Sequence, residues 1–213
     1  MTWQRARTEE QKLARRKSIL DATASLLASS PLGSLSFNRI AKQCGLSKSN
    51  LYRYFGSREE VLLELLSEDI QRLTEDVHTQ IGGMPEDLTA EGLSTVLVEL
   101  LLAHERLAAL LAQLEAVIEP NVERSLLLAF KLSLLDALTQ IAADLEAKWP
   151  ALLPSGAGVE VLQFLVVLLA GLWPQRDRPP ALSEVLEHPA LAPVRLDFRP
   201  TLIRGLSLVI RGL

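Results

Sequence analysis

The sequence predicts an all-α chain, with a three-helix, helix-turn-helix head at residues 1–56 and a larger helical body at 57–213. Three observations predict this. Ser36 to Phe55 reads as two short helices joined at Gly45, the long remainder is leucine-rich with apolar residues at helical spacing, and charge divides sharply between the two parts. About nine helices account for the chain.

Residues 1–8 hold Trp3, Arg5 and Arg7 without periodicity and read as an arm. A helix starts near Thr8 with acids in its first turn and buries a stripe of Ile19, Ala22 and Leu26. Its Arg15-Arg16-Lys17 run reads as a solvated cationic face that adds long-range attraction. Ser29-Ser30-Pro31 ends this helix and Gly33 opens the next turn. In the motif, Phe37, Ile40, Ala41 and Cys44 mark one buried face. Gly45 supplies a left-handed C-cap, Ser47 caps the following helix, and Leu51 and Phe55 point inward at i, i+4. The outward set, Lys48, Ser49, Asn50, Tyr52 and Arg53, consists of side chains that hydrogen-bond base edges or phosphates.

Ser57 and Glu60 have capping-box spacing, so a fourth helix follows at once, its N-terminus offering a seat for phosphate beside Arg58. Val61, Leu65, Leu66, Ile70, Leu73 and Val77 continue its stripe to about Ile81, where Gly82-Gly83-Met84-Pro85 breaks it. This helix is the natural coupling rod between head and body. Further helices are expected near Thr89–Leu102, His104–Ile118, Asn121–Lys148 (capped by Asn121), Val159–Trp173 and Thr201–Gly212. Pro174 to Pro200 is a proline-rich connector with room for one helical turn at Ser183–His188.

Charge and composition bound the function. The formal net charge is −4, yet residues 1–60 carry eleven Lys/Arg against five acids, or +6, leaving −10 for the rest. That asymmetry describes a polyanion-binding head on an acidic body. The single cysteine, Cys44, excludes an intrachain disulfide framework and reads as a small core residue. The N-terminal stretch lacks a hydrophobic signal core, and Phe164 to Trp173, the longest uncharged apolar stretch, is about half a bilayer span, so the expectation is a cytoplasmic protein with no membrane partner. His78, His104 and His188 lack partners at metal-ligand spacing, and no phosphate-binding Gly loop or G-x-S-x-G motif occurs. The expectation is therefore no metal, no cofactor and no catalytic residues.

Residues 8–70 resemble the N-terminal domain of the tetracycline-repressor (TetR) family of bacterial regulators. The resemblance rests on Ile40-Ala41…Cys44-Gly45-Leu46-Ser47, Leu51-Tyr52-Arg53-Tyr54-Phe55 and Ser57-Arg58-Glu59-Glu60 in register. It implies a ligand-responsive repressor that binds a pseudo-palindromic double-stranded DNA operator as a homodimer and lets go when an effector shifts the spacing of its two heads. By position, Lys48, Ser49, Asn50 and Arg53 face bases, while Ser36, Asn38, Arg39, Tyr52, Tyr54 and Arg58 hold phosphates. Ser49-Asn50 stands where many members have Gly-Thr, so no operator is transferable.

The resemblance also implies an effector cavity in the body, with candidate contacts His104, Glu115, Phe130, Trp149, Gln163, Phe164 and Trp173. Leucine content favours a small, largely apolar effector. The last two long helices are implied to form a four-helix bundle with a second copy. The expected interface residues are Leu162, Leu165, Val166, Leu169 and Leu172 on one, and Leu202, Ile203, Leu206, Val209 and Ile210 on the other. Rival readings are a ligand-binding or interaction protein whose head does not bind DNA, an enzyme using the body cavity, and an activator.

Overall fold

Helices make up every regular element of residues 9–213, the part of the chain that the computed structural model describes. The arm at residues 1–8 lies outside the described residues. Ten α-helices follow in order: α1 Glu9–Ser29, α2 Phe37–Gln43, α3 Lys48–Leu51, α4 Arg58–Ile81, α5 Ala90–Ala103, α6 Glu105–Leu111, α7 Arg124–Lys148, α8 Ala157–Leu172, α9 Pro180–Leu186 and α10 Phe198–Arg211.

The chain divides into two compact units. One takes residues up to Glu68 together with Leu114–Phe130; the other takes Asp69–Gln113 and Lys131–Leu213. Both α4 and α7 run through the division.

In the first unit, α1 packs on α2 and α2 on α3. Its core holds Ile19, Ile40, Leu51, Leu62 and Leu66, all with no exposed surface, and Phe55 at 2%. The inward stripe of α1 is Ile19, Leu20, Thr23 and Leu26, so Ala22 yields its expected place to Leu20 and Thr23. The Thr23 hydroxyl satisfies itself by donating to the Ile19 carbonyl at 2.8 Å. Segment Leu114–Ile118, expected as the end of a long helix from His104, is instead a π-turn, followed by a 3-10 turn at Glu119–Asn121. Pro120, at the second position of that turn, has no N–H to continue an α-helix. Nor does Asn121 cap α7. Its amide donates to the Val117 carbonyl, and the Glu123 carboxylate instead accepts the Ser125 and Leu126 N–H groups at the start of α7. These bonds, with the Ser125 hydroxyl foremost, hold the Glu123 pKa below its ordinary value.

In the second unit α10 packs on α5 and α8, and α6 packs on both α5 and α8. Trp149 is the largest side chain with almost no exposure, and its indole N–H donates to the Pro85 carbonyl at 2.8 Å, tying the end of α7 to the loop after α4. Gly156 precedes α8 at φ +90°, and the Gly156 and Gly158 N–H groups both donate to the Glu146 carboxylate. A Cβ on Gly158 would sit 2.8 Å from the Ala142 Cβ, so only glycine lets α7 and α8 approach this closely. Two helical stretches, Arg124–Lys148 and Ala157–Gln175, are long and apolar enough to cross a membrane by length and composition. Lys131 and Asp136 within α7 oppose that use, and α8 buries Leu162, Leu165 and Leu169 inside its own unit.

Candidate DNA-reading face and effector cavity

Caps shape the reading face. Ser36 accepts from the Arg39 N–H and starts α2. At the other end, Gly45 takes φ +64°, the Gly45 N–H donates to the Lys42 carbonyl, and the Leu46 N–H donates to the Ala41 carbonyl. This is the Schellman pairing that turns the chain sharply without a Cβ penalty. Ser47 then accepts from the Asn50 N–H and starts α3. The α-helix proper is only Lys48–Leu51; 3-10-type bonds, including Tyr54 N–H to the Leu51 carbonyl, carry the backbone on until the Phe55 N–H also reaches Leu51. Leu51 and Phe55 are thereby both buried, while Tyr52 and Arg53 between them are exposed.

Lys48, Ser49, Asn50, Tyr52 and Arg53 are exposed together on this segment, and Ser36 and Asn38 are exposed on the adjoining turn of α2. The Tyr52 ring lies 4.7 Å from the Phe37 ring and 5.7 Å from the Lys48 ammonium, which fixes its position while the residue stays exposed. Tyr54 is half-buried.

Arg39 and Arg58 are built in differently. Arg39 donates to the Ser34 carbonyl, the Ser34 hydroxyl and the Ser30 hydroxyl, pinning the turn before α2. Arg58 donates to the Leu35 carbonyl at 2.9 Å and pairs with Glu59, bracing the start of α4 against that same turn. Both guanidinium groups hold the reading face in place. Replacing Arg58 by Ala orphans the Leu35 carbonyl and is expected to destabilise the fold by about 1–2 kcal/mol, measured by denaturant unfolding. Cys44 lies in the core below, where burial pushes its thiol pKa up, so it stays an unreactive thiol.

In the second unit a cavity of about 70 Å³ is walled by fifteen residues, every one aliphatic. They include Ile70, Leu73 and Val77 of α4, Leu107 of α6, Leu138 of α7 and Leu165 of α8. None of the seven expected effector contacts is among them. His104 pairs with Asp76 at 3.0 Å, Trp149 is a core anchor, and Phe164 is 42% exposed. Trp173 stacks edge-on with Phe198 while Gln163 faces solvent. Glu115 and Phe130 belong to the other unit.

The expected interface residues are placed likewise. Leu162, Leu165, Leu169, Leu172, Leu202, Leu206 and Ile210 are buried within the chain, and Val166, Ile203 and Val209 are half-buried. Leu162, Leu165 and Val166 line the cavity. The large hydrophobic side chains that α8 and α10 leave exposed are Phe164, Val167 and Leu208. On the same two helices, a Cβ on Gly205 would come within 3.1 Å of Leu168, so α8 and α10 pack closely there.

A family model of bacterial regulatory proteins, tetR family, matches residues 19–65, and one of the tetracyclin repressor-like C-terminal domain matches residues 67–213. The chain belongs to the tetR family. Two uncharacterized HTH-type transcriptional regulators from Mycobacterium tuberculosis are each 35% identical to this tetR-family chain over 68 residues. That stretch covers 32% of the chain and 34% of theirs, so the match spans about a third of the length of these relatives. Among solved structures, the fatty acid degradation regulator FadR from Bacillus halodurans superposes with a TM-score of 0.56 at 17% identity, covering 98% of both chains. A chain from Mesorhizobium loti, described as a TetR-family transcriptional regulator, gives 0.51 at 16% identity and covers 97% of this chain and 96% of its own. At these identities the likeness establishes the fold.

One residue of the tetR-family head escaped the sequence reading. Arg16, taken there as part of a solvated face, pairs with Glu64, donates to the Tyr54 carbonyl and lies 4.2 Å over the Phe55 ring. It thus joins α1 and α4 to the end of the reading segment. Its partners lie 38 and 48 residues away, where no local pattern reaches.

Proposed function

We propose that the protein is a DNA-binding transcriptional regulator, a ligand-responsive repressor that binds a pseudo-palindromic operator as a homodimer. The carrying observation is the exposed Lys48-Ser49-Asn50, Tyr52 and Arg53 face on a capped segment whose apolar side is locked into the core. In this reading Lys48, Ser49, Asn50 and Arg53 reach base edges in the major groove. Ser36, Asn38, Tyr52 and Tyr54 contact phosphates, and Arg39 and Arg58 act by holding them. Head and body divide as residues 1–56 and 57–213. The protein works in the cytoplasm, needs neither metal nor cofactor and has no catalytic step.

The effector is a small, largely apolar molecule. The aliphatic wall favours it, because a charged guest in that cavity would be left without hydrogen-bond partners. At about 70 Å³ the cavity is far below the roughly 300–1,000 Å³ of a drug-sized site, so binding has to widen it. That widening is the differential interaction an inducer needs to shift the dimer away from the operator-binding spacing. The dimer face lies on α8 and α10 and uses Phe164 and Val167, large apolar side chains that α8 leaves outside.

Selection of bound sequences from a randomised DNA pool tests the reading. The expected product is an inverted repeat whose half-sites lie about one helical turn apart or a multiple of it; failure to enrich any sequence at low salt rejects DNA reading. Tyr52→Phe is expected to weaken binding to the selected and to random DNA by the same factor, about tenfold at most, in titrations at fixed salt.

A further inference from the structure

The acidic body carries one basic stripe. From Phe198 to Leu213 there are three arginines and no acid, and Arg199, Arg204 and Arg211 line a groove of about 600 Å³ between α5 and α10. Pro200, Ile203 and Leu208 supply its apolar wall, and Glu91 is the only acid on it. Arg199 is paired with Glu99, whereas Arg204 and Arg211 have no ion-pair partner among the described residues. Ser207 lies between them on the same stripe at steps of three and four. It is 4% exposed, lines the groove, and its hydroxyl is buried with no hydrogen-bond partner. A hydroxyl left so costs about 1–3 kcal/mol relative to a satisfied one.

We propose that this groove is a second ligand site, separate from the aliphatic cavity, for a small organic phosphate. Seven residues at the helical rise separate Arg204 and Arg211 by about 10 Å along α10, a span that two long side chains close over a guest seated at Ser207. A phosphate monoester has enough oxygens to accept from both guanidinium groups and the hydroxyl at once; a carboxylate has two oxygens for three donors. The volume holds far more than a phosphate ion, and Ile203, Leu208 and Pro200 offer the organic part an apolar surface.

The test is calorimetric titration of the full chain with phenyl phosphate, inorganic phosphate and benzoate at constant ionic strength, no DNA being present. Phenyl phosphate is expected to bind most tightly and inorganic phosphate more weakly, with benzoate weakest. Ser207→Ala is expected to weaken phenyl phosphate about tenfold while leaving the thermal midpoint equal or higher, since it deletes an unsatisfied group. The double change Arg204→Gln with Arg211→Gln is expected to abolish saturation. Millimolar phenyl phosphate without a binding signal, affinity unaltered in both variants, or benzoate matching phenyl phosphate would each overturn the proposal. So would a double variant whose oligomeric state changes in light scattering, because the groove would then be a seam between copies.

Discussion

Asn50→Ala combined with Arg53→Ala is expected to cut binding to the selected operator by roughly 10²–10⁴-fold, each lost base contact being worth about 1–3 kcal/mol. Binding to random DNA falls much less, because phosphate contacts dominate it. Thermal stability stays within about 0.5 kcal/mol. Both side chains are exposed, and the cap that Asn50 completes uses its backbone N–H donating to Ser47, which alanine retains. Competition binding against the selected site and a scrambled one, with unfolding curves for each variant, measures all three. A variant that keeps its specificity ratio would move base reading away from this segment, whatever happened to total affinity.

That the helix-turn-helix could be found in sequence at all reflects how local its determinants are. Ser36, Ser47 and Ser57 each cap within three residues, and Gly45 turns the chain by its own conformational freedom, so pattern and geometry coincide. The capping box at α4 is shifted by only one residue, Glu60 reaching the Gly56 N–H. The arginines were legible as charge but not as braces. Arg58 to Leu35 and Arg16 to Glu64 span 23 and 48 residues, distances set by packing of whole helices. In the body the helices were legible and their faces were not. On α8, Leu162, Leu165 and Leu169 alternate with Phe164 and Val167, both sets apolar, so periodicity cannot say which side meets the core. None of the aromatic and polar side chains singled out in the sequence lines the aliphatic cavity, which is built of leucine and its kin because it lies where five helices, α4 to α8, leave the space between them unfilled.

The second large effect is expected at the joint of α4 and α6. Asp69 is 5% exposed, and its carboxylate takes Arg106 in a bidentate pair at 2.6 and 2.7 Å, with Arg72 adding a third bond at 3.1 Å. The residues next along, Ile70 and Leu107, line the aliphatic cavity. The ion pair therefore clamps the two helices beside that cavity, where an apolar guest of the kind proposed above has to part them. Asp69→Asn keeps the shape but removes the negative charge that faces the partly buried Arg106, and is expected to cost about 2–3 kcal/mol in urea unfolding, below the roughly 3–5 kcal/mol of a fully buried pair. Its effect on ligand has the opposite sign. If the clamp is stronger in the narrow state, weakening it lowers the cost of opening, and every 1.4 kcal/mol so released tightens an apolar guest about tenfold. Titration with a neutral lipophilic fluorophore is therefore expected to show tighter binding by the less stable variant. Weaker binding would place the Asp69–Arg106 pair in the ligand-bound state instead, and it would then be a contact that effector occupancy strengthens and not one it works against.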